Sequence, residues 1–267
     1  MSDGRLVVCP TPIGNLEDVT LRVLRALREA DVVACEDTRH TRVLLDRHGI
    51  RAAELLSLHE HNERERARVV AARIAEGDVV ALVSDAGTPL VSDPGYATVR
   101  ACLDAGLRVE VLPGPSAVVT ALVASALPAE QWCFVGFLPR KAGELRRVLE
   151  SARETLVALE SPRRLASTLA TLAEIDPARP VAVCRELTKL HEEVVRGSAA
   201  EVAARFARGA RGEVVLVVGA AARAEREAGP ALEAVEQLVE AGAKRRAAAA
   251  VVGSLTGLSA NRLYGGG

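Results

Sequence analysis

Val79-Val80-Ala81-Leu82-Val83-Ser84-Asp85-Ala86-Gly87-Thr88-Pro89-Leu90-Val91-Ser92-Asp93-Pro94-Gly95 is the stretch from which the fold can be read. Its first five residues are apolar and mostly β-branched, the mark of a strand buried on both faces. Twelve residues rich in Gly, Pro, Ser and Asp follow, and these residue types end regular structure and form turns. The segment 94–105 then reads as a helix, entered at Pro94 and left at Gly106. A strand, a long loop at its C-terminal end and a helix form the repeating unit of a parallel α/β sheet, and ligands bind at such loops.

The same alternation extends to both sides. Residues 7–9, 32–35 and 109–112 are further short apolar runs expected as strands. Residues 20–30 carry Leu21, Leu24 and Leu27 on one helical stripe, with Asp18 or Thr20 as candidate caps. Residues 62–76 open with Asn62 and Glu65, the spacing of a capping box. Past a break at 127–132, strands are expected at 133–136, 155–159, 181–184, 193–196 and 213–218, with a helix from Ser161-Pro162 to about Ile175. No helix separates the strands near 181–185 and 193–196, so the second sheet should be mixed and partly antiparallel. The expected organisation is α/β, with a first domain at 1–126 and a second at 127–219. A linker at 220–229 leads to a small helical, helix-turn-helix-like segment at 230–267. In that segment a turn is expected at 253–257, a helix capped by Ser259 follows, and Lys244, Arg245, Arg246 and Arg262 make it locally basic.

Composition narrows the function. Hydrophobic residues make up 49% of the 267, so a large core can form, and the net charge of -1 excludes a generally basic nucleic-acid binder. Any RNA contact must be a local patch, and with 2% aromatics a broad base-stacking platform is excluded too. Cys9, Cys35, Cys102, Cys133 and Cys184 are far apart and form no C-x-x-C pair, which fits buried thiols in a reducing compartment. The opening Met-Ser-Asp-Gly-Arg does not read as a secretory leader and no apolar run reaches membrane-spanning length, so a cytoplasmic protein without a membrane partner is expected. There is no G-x-G-x-x-G, P-loop or G-x-S-x-G. His59 and His61 lack a third ligand, so they read as polar loop residues and no metal is expected.

The remaining signal lies in loops that follow strands. Thr11-Pro12-Ile13-Gly14-Asn15-Leu16 has a rigid turn and a glycine suited to close approach. Glu36-Asp37-Thr38-Arg39-His40-Thr41 sets two acids beside Arg and His, or else caps a helix at Thr38 with solvated charges around it. Pro113-Gly114-Pro115-Ser116-Ala117 is a stiff entry to a helix N-terminus that can present amides to an anion or carbonyl group. Gly136-Phe137-Leu138-Pro139, Glu160-Ser161-Pro162 and Arg185-Glu186-Leu187-Thr188-Lys189 complete the set.

Six of these motifs in order resemble the tetrapyrrole methylase superfamily, the class III S-adenosylmethionine-dependent methyltransferases: T-P-I-G-N-L, E-D-T-R-x-T, S-D-A-G-T-P-x-x-x-D-P-G, L-P-G-P-S-A, G-F-L-P and R-E-L-T-K. More narrowly they are similar to its branch of 16S ribosomal RNA 2'-O-ribose cytidine methylases, and the likeness covers residues 6–218. The resemblance implies a cofactor, S-adenosyl-L-methionine, in a cleft between the domains. By motif it is bound by Pro12, Asp85, Gly87, Thr88, Pro89, Ser116, Ala117, Phe137, Leu138 and Leu187. A base for a ribose hydroxyl is sought among Asp37, His59, Glu186 and Lys189, with none singled out by the sequence. Arg39 and Arg185 are candidate phosphate contacts, and Asp37, Arg39, Glu186 and Lys189 form the candidate catalytic set. The resemblance also implies a homodimer acting on 16S rRNA or the 30S subunit. A methylase acting on a precorrin-type tetrapyrrole and a non-enzymatic RNA-binding assembly factor are the other readings. The E-D-T-R loop and the basic C-terminal segment speak against the first, and the intact S-D-A-G-T-P loop against the second.

Overall fold

The computed structural model describes residues 4–221, 228–256 and 258–265. The chain divides into two compact units, Met1–Ala220 and Ala221–Gly267.

The first unit opens with β1 (Arg5–Cys9), α1 (Leu21–Glu29), β2 (Val32–Cys35), α2 (Thr38–Arg47), β3 (Leu55–Ser57), α3 (Glu63–Glu76), β4 (Val79–Val83), α4 (Tyr96–Asp104), β5 (Arg108–Val111) and α5 (Ala117–Ser125). The five strands form a parallel sheet in the order β3-β2-β4-β1-β5. Its inner strands β1, β2 and β4 are almost wholly apolar because both of their faces are covered, whereas the edge strand β5 carries Arg108 and Glu110. Val7, Cys9, Val33, Cys35, Ala81 and Val83 pack against Val23, Leu24, Leu27, Leu44 and Leu45 of α1 and α2. Leu6, Val8, Val32, Ala34, Val80 and Leu82 pack on the other side against Val70, Ile74 and Cys102 of α3 and α4. The order also locates the site. From β1 the chain passes toward β2 on one side, and from β4 it passes toward β5 on the other. Neighbouring strands whose connections diverge open a crevice at their C-terminal ends. The loops there are 10–15 and 84–95, joined by Thr11 N to Gly87 O at 2.8 Å and Gly87 N to Thr11 O at 3.0 Å.

The second sheet is built from β6 (Trp132–Phe137), α6 (Ala142–Ser151), β7 (Thr155–Glu160), α7 (Leu165–Ile175), β8 (Pro180–Arg185), β9 (Glu193–Ser198), α8 (Ala199–Arg205) and β10 (Val214–Val218). The strand order is β6-β7-β10-β8-β9, with only β6 and β7 parallel, so the sheet is mixed as the missing helix between β8 and β9 required. α6, α7 and α8 cover one face through Leu145, Leu149, Leu165, Leu169, Leu172 and Val202. The other face receives α5, whose Val118, Ala121 and Leu122 pack on Val157, Ala182, Val215 and Val217. The two sheets are thus joined by a helix that follows a strand of the first and covers the second.

In the second unit, α9 (Ala228–Glu240), α10 (Arg245–Thr256) and α11 (Ala260–Tyr264) enclose Val235, Ala248, Ala249, Val252 and Leu263. Arg245 is ion-paired to Glu236.

Four local expectations are corrected. Asn62 does not close a capping box; its side chain accepts from His59 N and donates to Ser57 O, which stiffens the turn before α3. α4 begins at Tyr96 rather than Pro94, because Gly95 at φ 132 cannot be helical; the carboxylate of Glu63 caps it by accepting from Gly95 N and Ala97 N at 2.9 and 2.6 Å. No turn begins at Gly253. α10 runs through it, and its bare Cα lets the backbone of Leu258 and Ala260 approach. Gly257, the other end of that expected turn, and residues 222–227 of the expected linker at 220–229 lie outside the described residues, and α9 already begins at Ala228. Ser259 precedes α11 without a side-chain cap bond. Thr20 does cap α1, accepting from Val23 N at 3.1 Å.

Candidate active site

A cleft of about 450 Å³ lies between the two sheets of the first unit. One wall is Ile13, Ala86–Thr88, Val91–Asp93 and Ser116–Val118; the other is Phe137, Leu159–Pro162, Cys184, Leu187 and Gly212–Val215. The first wall is held by its own polar groups. Ser84 Oγ donates to Gly87 O at 3.1 Å, Thr11 Oγ1 to Ser84 O at 2.9 Å and Thr88 Oγ1 to Pro115 O at 3.2 Å. Within the 84–95 loop Leu90 (φ 73) and Ser92 (φ 66) occupy the left-handed region. That conformation costs an L-residue of this kind about 1–3 kcal/mol and collects at functional loops. At the α5 N-terminus Ser116 is the N-cap, and Ala117 and Val118, whose first-turn amides have no partner inside the helix, line the cleft.

On the facing wall, Glu186 (φ 51) and Thr188 (φ 66) shape the loop after β8. Asn15 N donates to Thr188 Oγ1 at 3.0 Å, and Gly14 lies so close to Thr188 and Lys189 that any Cβ would overlap them. The glycine is required for that approach between the walls. Glu160 anchors the next segment, its carboxylate accepting from Ser161 N, from both Nε and Nη2 of Arg164 and from Thr168 Oγ1.

Helices at the C-terminal strand ends, a crevice at the switch between β1 and β4, and a second mixed sheet closing over it together match one family. The family model of tetrapyrrole (corrin/porphyrin) methylases fits residues 5–203. The chain belongs to the tetrapyrrole methylase family.

Among members of that family, the chain is 48% identical to ribosomal RNA small subunit methyltransferase I of Mycobacterium tuberculosis, over 99% of this chain and 94% of the relative. It is 42% identical to the protein of the same name in Escherichia coli O157:H7, over 98% and 94%. A solved tetrapyrrole methylase, the uroporphyrin-III C-methyl transferase of Thermus thermophilus complexed with S-adenyl homocysteine, is 25% identical and superposes with a TM-score of 0.57 over 81% of this chain and 97% of that one.

Of the ten expected cofactor residues, Gly87, Thr88, Ser116, Ala117, Phe137 and Leu187 line the cleft of this tetrapyrrole methylase. Pro12 and Asp85 instead line a small neighbouring cavity with His40 and Thr41, where Asp85 Oδ1 accepts from Asp37 N at 3.1 Å. Leu138 is buried in the core of the second sheet. Pro89 sits in the 84–95 loop between lining residues.

The four candidate catalytic residues stand outside the lining and are paired with one another. Asp37 caps α2 through Arg39 N and binds the Arg39 guanidinium at 2.7 Å, which holds its carboxyl well below the usual range. Glu186 accepts from Glu213 N and from Lys189, so its carboxyl is also held low. Burial works against the Lys189 ammonium, but Glu213 and Glu186 raise it overall. Arg185 is engaged by the carbonyls of Arg211 and His191. Among the described residues no group of three His, Cys, Asp or Glu could hold a metal ion; the His59 and His61 rings are 6.0 Å apart, edge to face. Cys184 lines the cleft as an inert thiol, pushed up to about 11 by burial.

Asp93, a lining residue, was not among the sequence candidates. Burial, then the carboxylates of Glu36 and Asp85, push it up to about 6, with the nearby Ser84 hydroxyl opposing the rise. Glu36 is itself raised by burial and by Asp85. A raised acid binds its proton more tightly folded than unfolded, so it lowers stability above its folded value and costs nothing below the ordinary carboxylate range. Asp93→Asn should therefore gain ~1 kcal/mol at pH 8, the full shift being discounted for its partial exposure, and nothing at pH 4. Urea melts at the two pH values check this; equal stability of the two proteins at pH 8 would contradict it.

Proposed function

We propose that the chain transfers a methyl group from S-adenosylmethionine to small-subunit ribosomal RNA, at the 2'-hydroxyl of a cytidine ribose in the decoding region. The observation that carries the reading is near-full-length identity of 48% to a protein named for that substrate, against 27% or less to solved relatives that act on uroporphyrin or precorrin. The cleft fits the cofactor. Its volume is within the roughly 300–1,000 Å³ of small-molecule sites. Phe137, Leu159, Leu187 and Val215 offer apolar surface for a heteroaromatic ring, and the free amides at Ala117 and Val118 suit a carboxylate or a ring acceptor. Gly87, at φ 81 with no Cβ, lets the backbone itself form the cradle.

When bound, the cofactor supplies an electrophilic methyl on a sulfonium. The protein's part is alignment, worth up to ~7–11 kcal/mol when the geometry is tight. With a net charge of -1, RNA affinity falls to local cations. Arg39, 86% exposed beside its Asp37 partner, and Lys189, kept charged by two carboxylates, are such groups at the strand ends. The reading includes a cytoplasmic homodimer; Val111, Val119 and Val123 are exposed on β5 and α5 and give an apolar surface for it.

The test is methyl transfer from labelled S-adenosylmethionine to 30S subunits lacking ribose methylation, with the product mapped by mass spectrometry. One 2'-O-methylcytidine in 16S rRNA is expected. A labelled base, or no label alongside demonstrable cofactor binding, overturns the acceptor assignment.

A further inference from the structure

We propose that the carboxylate of Asp93 is the general base that takes the proton from the acceptor hydroxyl. The inference rests on the methyltransferase reading above and deepens it. Asp93 lines the cleft on the wall that carries Gly87 and Thr88, and it is delivered there by Leu90 and Ser92, both left-handed. The other titratable groups on the lining are committed elsewhere. Glu160 is saturated by Arg164, Ser161 and Thr168. Glu213 pairs with Lys189 at 2.9 Å and is mostly in solvent. Cys184 is a buried thiol that stays protonated. The hydroxyl of Thr88 donates to Pro115 O. Among the described lining residues Asp93 alone combines an available carboxylate with a place in the cleft.

Its surroundings suit the role. Glu36 at the end of β2 and Asp85 at the end of β4 face it with negative charge, and Glu36 in turn faces Asp37, His59 and Glu60. A carboxylate so raised is a stronger base than an ordinary aspartate and is still mostly ionised at neutral pH. In the step, the acceptor oxygen forms a bond to the methyl carbon while the carbon–sulfur bond breaks and its electron pair stays on sulfur. The hydroxyl proton passes to Asp93 and then to solvent, so no further reactant is needed.

The experiment compares wild type, Asp93→Asn, Asp93→Glu and Glu36→Gln. Asp93→Asn should lower kcat about 100-fold, with the Kd for S-adenosylmethionine by calorimetry within about twofold of wild type. The wild-type kcat profile should show an acid limb near pH 6 that Glu36→Gln moves to lower pH. Asp93→Glu should recover part of the rate. Independently of turnover, the Asp93 carboxyl carbon followed by NMR should titrate near 6 in wild type and lower in Glu36→Gln. A wild-type rate in Asp93→Asn overturns the proposal and leaves the RNA reading intact. A cofactor Kd weakened more than about tenfold overturns it in favour of a binding role. A wild-type enzyme that labels another acceptor overturns the RNA reading alone, and the same comparison on that acceptor then decides the role of Asp93.

Discussion

Arg179→Met should lower the melting temperature by about 10 °C, from a loss of roughly 3–5 kcal/mol. Arg179, just before β8, is 1% exposed, an unusual burial for arginine. Its guanidinium meets no carboxylate among the described residues. It donates instead to three main-chain carbonyls, Gly219 at 2.8 Å, Leu149 at 2.5 Å and Ala152 at 3.5 Å. Leu149 and Ala152 belong to the C-terminal end of α6, the negative pole of that helix, and Gly219 follows the end of β10. One cation therefore ties a helix end to the last strand of the first unit. Burial pulls its pKa down while Asp176 opposes this, and the guanidinium stays charged because its ordinary value is so high. Methionine keeps the volume and removes every donor. Each stranded carbonyl costs about 1–3 kcal/mol, and relief of the cation's own desolvation returns part of that. Arg179→Lys keeps the charge on a single head and should lose about half as much. Calorimetric melts decide it, and a shift under about 2 °C for the methionine variant would refute the account.

Most of the first sheet could be read from sequence because both of its faces are buried. Val32–Cys35 and Val79–Val83 are apolar at every position, and they occupy the expected bounds. β3 escaped notice because it has three residues at the edge of the sheet, Leu55–Ser57, and three residues carry no periodicity. α6 escaped because its charged face outnumbers the buried Leu145 and Leu149. That α5 covers the second sheet is not a local property of its residues, since an all-apolar helix fits either face.

The site divides in the same way. Loop composition marked the segments after the strands, and the family motifs within them named Gly87, Thr88 and Ser116, which line the cleft. Composition could not separate Asp85, which holds the Asp37 amide, from Asp93, which faces the cleft; both are acids in one loop. Nor does spacing reveal that Glu36 comes to lie beside Asp93, an arrangement created by pairing β2 with β4. Asp37 with Arg39 and Glu186 with Lys189 drew attention as charge clusters, and each is in fact an ion pair.

Glu160→Ala should cost about 3–5 kcal/mol and weaken cofactor binding about tenfold. The side chain is 1% exposed and ends β7. Oε1 accepts from Ser161 N at 2.7 Å and Arg164 Nε at 2.9 Å, while Oε2 accepts from Arg164 Nη2 at 2.9 Å and Thr168 Oγ1 at 2.6 Å. Arg164 also donates to Leu138 O at 2.8 Å, so the carboxylate fixes the end of β7, the start of α7 and the Gly136–Pro139 loop together. Alanine leaves a part-buried guanidinium unpaired and two further donors without acceptors, and breaking one side of such a pair is what makes it expensive. Ser161 and Pro162 line the cleft, so the loss should reach the ligand as well as the fold. Glu160→Gln retains one acceptor oxygen and should lose about half the stability. Urea midpoints and calorimetric Kd values measure both effects; a variant that melts like wild type would show the network to be idle. Glu160 and Asp93 line one cleft, yet removing the charge at Glu160 should destabilise and removing it at Asp93 should stabilise. A carboxylate satisfied by donors holds the wall in place, whereas one kept among like charges is held at a cost to the fold, which its use as a base would explain.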